Sequence, residues 1–463
     1  MRNVFLAAIL CACAALLTTR PAAAQDLPRC SWPLETSVDS LLNVAYPDTN
    51  AAYWTMPIDT SRWSSVIITG TFPSARFMSF TTYDAQGQAV EGLFDYQIVP
   101  DPGSTNPFVP GPTAADGNES YTILVTRGDQ AVAAAGEQRH AEDVKIYFPA
   151  VLKRGSPGIA NTLSLSSTTL GWITYRIYVP DRGENLQGSI DLPGVTLIGF
   201  DGSRLALAPC SKRDVASLPA NGFADVVAAI ERIIAAAGSS GGGDGTICAP
   251  DQVAFAIPKI TGGYFPNPAN KYIAAPDLCY QSGRVVVVRG KAGGFPNTYN
   301  GAPVWQPPSQ FTQVDLRYWS MCNNNQQQPY PVVQCAADWQ TDLDNQDYYT
   351  YVVAESVGGK RPAWLPGDLV WLPWGSKTAR NILIFRNMLP TSGFDQSVQA
   401  ALAAGCIFDN TNSPVPYQDI AAAAACAKTV MGPYYPTAVY CDMALIEANG
   451  WQACFAAAGV PLP

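Results

Sequence analysis

Ile173-Thr174-Tyr175-Arg176-Ile177-Tyr178-Val179-Pro180 puts β-branched or aromatic side chains at nearly every position and ends on a proline. Branched and aromatic side chains fit a pleated surface and proline closes it, so the run reads as a strand. Its aromatic-Arg-x-x-x-Pro order returns much later as Phe385-Arg386-Asn387-Met388-Leu389-Pro390. Other landmarks recur in the same sequence order. Tyr46-Pro47-Asp48 with Tyr53 is matched by Phe265-Pro266-Asn267 with Tyr272. The strand run Val66-Ile67-Ile68-Thr69-Gly70 before Phe72-Pro73 is matched by Val286-Val287-Val288-Arg289-Gly290 before Phe295-Pro296. Arg76-Phe77-Met78-Ser79 is matched by Arg317-Tyr318-Trp319-Ser320, and Tyr121-Thr122-Ile123-Leu124-Val125 by Tyr349-Thr350-Tyr351-Val352-Val353. Any one match is noise, but all of them in register predict a tandem duplication of a β domain.

Around these landmarks lie short strand-like runs broken by Pro, Gly, Asp and Asn. The expected organisation is a first β domain over 25–213, a helix and Gly/Ser-rich linker over 214–246, and a second β domain over 247–392. The helix is read from apolar spacing over 224–234, and the linker from the glycine run 241–245. A helical, disulfide-rich tail follows over 393–463, with Ala-rich helical spacing over 396–404, 419–429 and 442–458. The predicted fold class is mainly β: two tandem antiparallel β-sandwich or jelly-roll domains with a small helical C-terminal cap.

Met1-Arg2-Asn3, an apolar run from Val4 to Leu17 and the small-residue end Ala22-Ala23-Ala24 have the form of a secretory signal peptide. Residues 1–24 are therefore expected to be removed, with the mature chain starting at Gln25 in the periplasm or outside the cell. Lipidation at Cys13 would require a very short apolar lead-in. No later run has the length of a membrane span. Of twelve cysteines, Cys11 and Cys13 fall in the leader, leaving an even ten for an oxidising compartment. None of the ten has Cys-x-x-Cys spacing, which disfavours a metal cluster. Pairing by neighbours gives Cys30–Cys210, Cys248–Cys279, Cys322–Cys335, Cys406–Cys426 and Cys441–Cys454.

A net charge of −9 argues against nucleic acid and against an anionic membrane surface. Charged residues make up 14% of the chain, against about a quarter in ordinary soluble proteins. The balance is made up by Gly, Pro, Tyr and Trp, the composition of turn-dense β proteins with aromatic surfaces.

The order Arg317-Tyr318-Trp319-Ser320, the strand 349–353, Ala363-Trp364-Leu365-Pro366 and Ile382-Leu383-Ile384-Phe385-Arg386 resembles the DUF1214 domains of bacteria, which often accompany DUF1254. The resemblance covers about 316–390 and is fainter over 76–180, where the Trp-Leu-Pro element is missing. It implies a β jelly-roll-like fold and carries no assigned reaction. The cysteines and the helical tail depart from it.

Chemistry is constrained most by what is scarce. One histidine, His140, sits in a polar stretch before the strand-like run 144–148. Multi-histidine metal sites are thereby excluded, and a Ser-His-Asp hydrolase would have to use His140. No Gly-x-Ser-x-Gly elbow accompanies it, and no cofactor motif is present. Asn118-Glu119-Ser120 fits a glycosylation acceptor. The cluster Asp338, Asp342, Asp344 and Asp347 fits an acidic turn, a calcium site or one side of a carboxylate pair. The tryptophans are the positive signal. Trp319, Trp339, Trp364, Trp371 and Trp374 crowd the second domain, and Trp364, Trp371 and Trp374 fall in loop-like sequence where an aromatic face can meet a ligand. Arg76 and Arg317, at matching repeat positions, either clamp an anionic group or serve as structural partners for carboxylates. The candidate ligand set is thus Trp364, Trp371, Trp374, Trp319, Arg317 and Arg76. The function expected is a non-catalytic binding module for a saccharide or an apolar small molecule. A carboxylate-dependent glycan hydrolase or lyase, and a structural protein of the envelope that meets protein partners, are the alternatives.

Overall fold

The computed structural model describes residues 28–37, 43, 46–111, 119–127, 159–165, 170–211, 253–259, 265–327, 330–410 and 415–463. The expected signal peptide, the helix and linker over 214–246, His140 with its neighbouring strand, Asn118 and Cys248 lie outside the described residues.

The first unit contributes β1 (Leu34–Thr36), β2 (Ala51–Asp59), β3 (Trp63–Thr71), β4 (Ala75–Tyr83), β5 (Ala89–Phe94), β6 (Ser120–Arg127), β7 (Asn161–Leu165), β8 (Leu170–Pro180), β9 (Gly194–Gly199) and β10 (Arg204–Leu207). The second contributes β11 (Ile257–Pro258), β12 (Asn270–Leu278), β13 (Arg284–Lys291), β14 (Leu316–Asn325), β15 (Val332–Ala337), β16 (Tyr348–Ala354), β17 (Val370–Pro373), β18 (Asn381–Pro390), β19 (Ile407–Phe408) and β20 (Thr437–Asp442). Sheet orders are β1-β2-β8-β4-β5 and β10-β9-β3-β6-β7 in the first unit, and β12-β18-β14-β15 and β17-β16-β13-β20 in the second. Apart from the edge strands β1 and β10, the two units share one topology: β2-β8-β4-β5 maps onto β12-β18-β14-β15, and β9-β3-β6-β7 onto β20-β13-β16-β17. Even the departure from antiparallel pairing is shared, since β6–β7 and β16–β17 both run parallel.

Each unit is a sandwich with its own core. Trp54, Phe80 and Tyr175 of one sheet meet Val66, Ile68, Tyr121 and Leu197 of the other in the first unit. Ile273, Trp319 and Phe385 meet Val286, Val288, Tyr349 and Tyr351 in the second. The inner sheets also face each other. Ala51, Phe77, Phe94, Tyr178 and Val179 pack against Ala269, Tyr318, Ala337, Met388 and Leu389 in one cluster. This double burial explains the strand sequences. β4 and β14 are buried along almost their whole length, whereas β6 in an outer sheet alternates buried and half-buried positions. A strand covered on both faces reads as a continuous run, not as an alternation.

The tail is helical over Val398–Ala403, Tyr417–Met431, Met443–Asn449 and Gln452–Ala457. In the longest helix, Ile420, Ala423, Ala424, Ala427 and Met431 form one buried stripe against the second core. The tail is not helical throughout, however. It returns β20 to the second sandwich, at the place β9 occupies in the first, because Val439 and Cys441 have buried positions waiting beside β13. Disulfides join Cys30–Cys210, Cys322–Cys335, Cys406–Cys426 and Cys441–Cys454, as neighbour pairing predicts. Cys279 is also disulfide-bonded, and its expected partner Cys248 is not among the described residues. Among the described residues, no helix is long and apolar enough to cross a membrane. The disulfides point to an oxidising, extracytoplasmic environment.

One local device recurs in both units. Gly70 on β3 pairs with Tyr121 on β6, and Gly290 on β13 with Tyr349 on β16. The tyrosine ring lies over the glycine, so a Cβ there would stand 2.7 Å from Tyr121 Cζ or 2.8 Å from Tyr349 Cζ. Both tyrosines are fully buried and cannot swing aside. Gly70→Ala and Gly290→Ala are each expected to cost about 1–3 kcal/mol through overpacking. Urea unfolding of the two variants checks this, and wild-type midpoints would show that the ring has room to move.

Candidate functional site

The seam between the inner sheets is built from arginines that each unit lends to the other. Arg76 of β4 and Arg317 of β14 occupy equivalent positions. Asp95 and Asp338 open equivalent 3-10 turns, Asp95–Gln97 and Asp338–Gln340, directly after β5 and β15. Each turn is closed by its own glutamine: Phe94 N donates to Gln97 Oε1, and Ala337 N to Gln340 Oε1, both at 3.0 Å. The ion pairs then cross. Arg76 Nη1 pairs with Asp338 of the second unit, and Arg317 Nη1 donates to Asp95 Oδ2 of the first at 2.8 Å. All four side chains are essentially inaccessible to water. Burial pushes the Asp95 carboxyl up to about 6, against the pull of Arg317 and of the Tyr96 and Met78 amides. Asp338 is raised by burial against the pull of Arg76.

A second reciprocal pair holds the chain segments that enter β2 and β12. Arg176 Nη2 donates to Phe265 O at 2.7 Å, and Arg386 Nη2 donates to Tyr46 O at 2.7 Å, so each arginine grips the other unit's aromatic-Pro-Asx turn. The gripped residues take left-handed backbone, with φ 55° at Tyr46 and 51° at Phe265. Val179 and Leu389 do so too, at 47° and 46°, where each inner strand bends to donate its amide to Asn50 O or Ala269 O. Left-handed backbone is costly for branched residues and persists only where the surroundings over-determine it.

These contacts settle where the expected ligand residues lie. Arg76 and Arg317 are the structural partners of carboxylates, and neither presents a face to solvent. Trp319 is fully buried in the second core, its indole Nε1 donating to Gly293 O at 2.9 Å. Trp374 is 7% exposed, edge-on to Tyr280 in the same core. Trp319 and Trp374 are thus closed within the second core, and the two guanidinium groups are held inside the seam. Trp364 and Trp371 are half-buried against the cluster beneath the C-terminal helices, and Trp371 Nε1 donates to Ala354 O at 3.1 Å. Loop-like sequence around Trp-Leu-Pro concealed this cover, because the helices that provide it lie far along the chain.

The acidic cluster divides likewise. Asp338 belongs to the seam, and Asp344 ties a turn together. Asp344 takes the Gln346 and Tyr348 amides on Oδ1 and Arg289 on Oδ2. Burial opposes ionisation there, but Arg289 and the two amides together hold the carboxyl below its ordinary range. Arg289 lies between Tyr348 and Trp451, 4.7 Å and 4.6 Å from their ring centres, and so docks the last helix on the second sandwich. Asp48, Cys322 and Cys335 come together at the seam, but both sulfurs are committed to a disulfide and Arg386 lies against Cys322, which disfavours a cation.

The largest departure from the two-fold likeness of the seam is an insertion. Between β3 and β4 only three residues intervene, whereas 292–315 separate β13 from β14. That longer segment lays Val304 into the first unit's core and presents the Thr298 hydroxyl to Arg76 Nε at 3.0 Å. The next residue, Tyr299, stacks on Trp339 with ring centres 3.8 Å apart and planes 16° from parallel. Both rings are half-buried at the edge of the seam cluster. The backbone of Arg182 donates to Tyr299 O at 3.2 Å, which brings the turn after β8 to the same spot. Asp181 in that turn feels Arg76, and burial pushes its carboxyl up to about 6, with Arg76 opposing and Glu184 reinforcing the rise. Trp339 was noticed in the sequence only as one of five tryptophans, and Tyr299 and Asp181 carried no signal there.

No family model matches the chain, and no curated protein does. Among solved structures, an uncharacterised protein of Burkholderia cenocepacia aligns with a TM-score of 0.46 at 12% identity, covering 79% of this chain and 81% of its own. The VPA0106 protein from Vibrio parahaemolyticus aligns with a TM-score of 0.35 at 10% identity, covering 75% and 86%. Likenesses this distant carry no argument about function.

Two outcomes are expected from the seam. Arg317→Met leaves Asp95 buried without its cation and should cost about 3–5 kcal/mol in urea unfolding, with most of the loss recovered in Arg317→Met/Asp95→Asn. Additive losses in that cycle would mean the pair is not coupled. Asp181 has a folded value above its ordinary 3.8, so the folded chain holds a proton that the unfolded chain releases between 3.8 and about 6. The stability this contributes is present below that window and is lost as pH rises through about 6. Thermal melts of wild type and Asp181→Asn across that range should differ in slope with this sign.

Proposed function

We propose that the chain is an exported, non-catalytic binding protein for a saccharide or an apolar small molecule, with its ligand surface at the seam between the two sandwiches. The observation that carries this reading is the half-buried Tyr299–Trp339 stack, whose tyrosine comes from a segment that only the second unit possesses. Most aromatic side chains of the described residues fill cores, whereas these two sit at the rim of a buried charge network. An aromatic face backed by rigid structure suits a flat apolar or sugar ring. Catalysis by paired carboxylates gains no comparable support, because Asp48, Asp95 and Asp338 are each drawn to an arginine of the seam. The apolar leader and the Ala-x-Ala end support export to the periplasm or beyond. The DUF1214-like pattern over 316–390 supports a shared architecture and adds no reaction.

A thermal-shift screen of the oxidised chain from Gln25 onward, against neutral saccharides and apolar aromatic compounds, tests the reading. A ligand of one class should raise the melting temperature by mass action, and Trp339→Ala should weaken its binding by roughly tenfold, the value of one lost aromatic stack. No shift with either class, in folded protein, overturns the reading.

A further inference from the structure

We propose that Arg76, Asp181 and Trp339 form a site for the adjacent hydroxyl groups of a neutral saccharide, with Tyr299 at its rim. The proposal rests on the binding role above and gives it a place and a chemistry. Three polar atoms there are buried and have no partner in the protein: Arg76 Nη2, Asp181 Oδ1 and Trp339 Nε1. Chain connections bring the three residues into one neighbourhood. Arg76 uses Nη1 on Asp338, the residue before Trp339, and Nε on Thr298, the residue before Tyr299. Tyr299 and Trp339 stack on each other, Asp181 lies within electrostatic reach of Arg76, and Asp181 N donates to Ser74 O at 3.0 Å, two residues before Arg76 on the chain. Arg76 itself is 0% exposed, so this unused donor is held inside the protein.

The combination selects its occupant by elimination. An anion would satisfy the guanidinium but meet Asp338 and Asp181. A cation would satisfy Asp181 but meet Arg76. An apolar guest would leave all three atoms unsatisfied, at about 1–3 kcal/mol each. A hydroxyl both accepts and donates. Two adjacent hydroxyls accept from the guanidinium and the indole N–H and donate to the carboxylate, and the apolar face of a sugar ring can rest near Tyr299. The equivalent place on the other side of the seam lacks the set: Tyr96 replaces Trp339, Thr391 replaces Asp181, and no inserted segment supplies a second aromatic. A duplicated framework elaborated at one of two equivalent positions is what a single dedicated site requires. The charged groups facing Asp181 are Arg76 and Glu184, so its ionised form, which the ligand needs as acceptor, prevails above about pH 6.

The test is calorimetric titration of the oxidised chain with glucose, mannose, N-acetylglucosamine and their oligomers, and in parallel with the apolar compounds of the screen. Wild type is compared with Trp339→Phe, which keeps a ring and removes the N–H, and with Asp181→Asn. Both are mild changes, and circular dichroism confirms their folding. The expected result is saccharide binding that weakens tenfold or more in each variant, and that declines below about pH 6 in wild type but not in Asp181→Asn. Saccharide binding unchanged in both variants overturns this site and leaves the binding role standing. Binding of apolar compounds alone overturns the hydroxyl chemistry only. Binding of neither class overturns both, and the three atoms then serve buried water.

Discussion

Everything in this molecule is arranged around two guanidinium–carboxylate pairs that cross between the inner sheets. A buried ion pair does not by itself stabilise a fold strongly, since desolvation takes back much of the attraction. Its leverage lies in what happens when it is broken. Arg76, Arg317, Asp95 and Asp338 sit where water cannot reach them, so each half of the molecule buries charges that pair with charges of the other half. Neither sandwich closes its own account of polar groups. The units are coupled beyond the apolar area that Phe77, Tyr178, Tyr318 and Met388 bury between them. The pairs also fix register: one equivalent arginine meets one equivalent turn, and sliding one inner sheet past the other by a residue would strand both.

The second reciprocal set, Arg176 and Arg386, extends that logic to the backbone. By holding the carbonyls of Phe265 and Tyr46, they pin turns whose left-handed residues would otherwise relax. Arg176 lies over both Tyr53 and Tyr83, and Arg386 over Tyr272, so aromatic faces replace part of the lost hydration of each cation. The chemistry is conserved between the units while the letters vary. Asp48 draws Tyr318, Ser320 and Arg386, whereas its counterpart Asn267 carries no charge. The two units differ around a shared skeleton of four arginines.

What was legible in the sequence follows from which forces are local. Strand runs and the order of landmarks depend on neighbours in sequence or on one adjacent strand, and the repeat was readable from them. The pairing of Cys322 with Cys335 was legible for the same reason, since the two face each other across a single hairpin. Burial was less legible. Trp319 and Trp339 are equally tryptophan, but one stands mid-strand between two sheets and the other just after a strand at the rim. Nothing within a few residues of either separates those fates. Trp364 and Trp371 looked like open loop residues, but Trp371 lies in β17 and the helices packed over both come from the tail. Asp181 and Tyr299 gave no signal, since their meaning arises only where a turn after β8, a segment before β14 and a turn after β15 converge. The strand β20 was missed between two Ala-rich runs, where six residues contribute little to any period.

The same constraint that couples the units also bears on what the rim can bind. Arg76 cannot adjust to a guest, because two of its three nitrogens are committed to Asp338 and Thr298. Its third points where the scaffold dictates. Asp338, in turn, fixes the backbone of Trp339 by accepting its amide at 2.7 Å, so the indole is placed by the same ion pair. A ligand that meets these groups loses little to ordering them, which is where rigid sites gain affinity. That rigidity also predicts narrow selectivity. A site whose donors are fixed by a charge pair holding two domains together cannot repack around a differently spaced pair of hydroxyls, so it should discriminate between sugar epimers rather than accept any polyol.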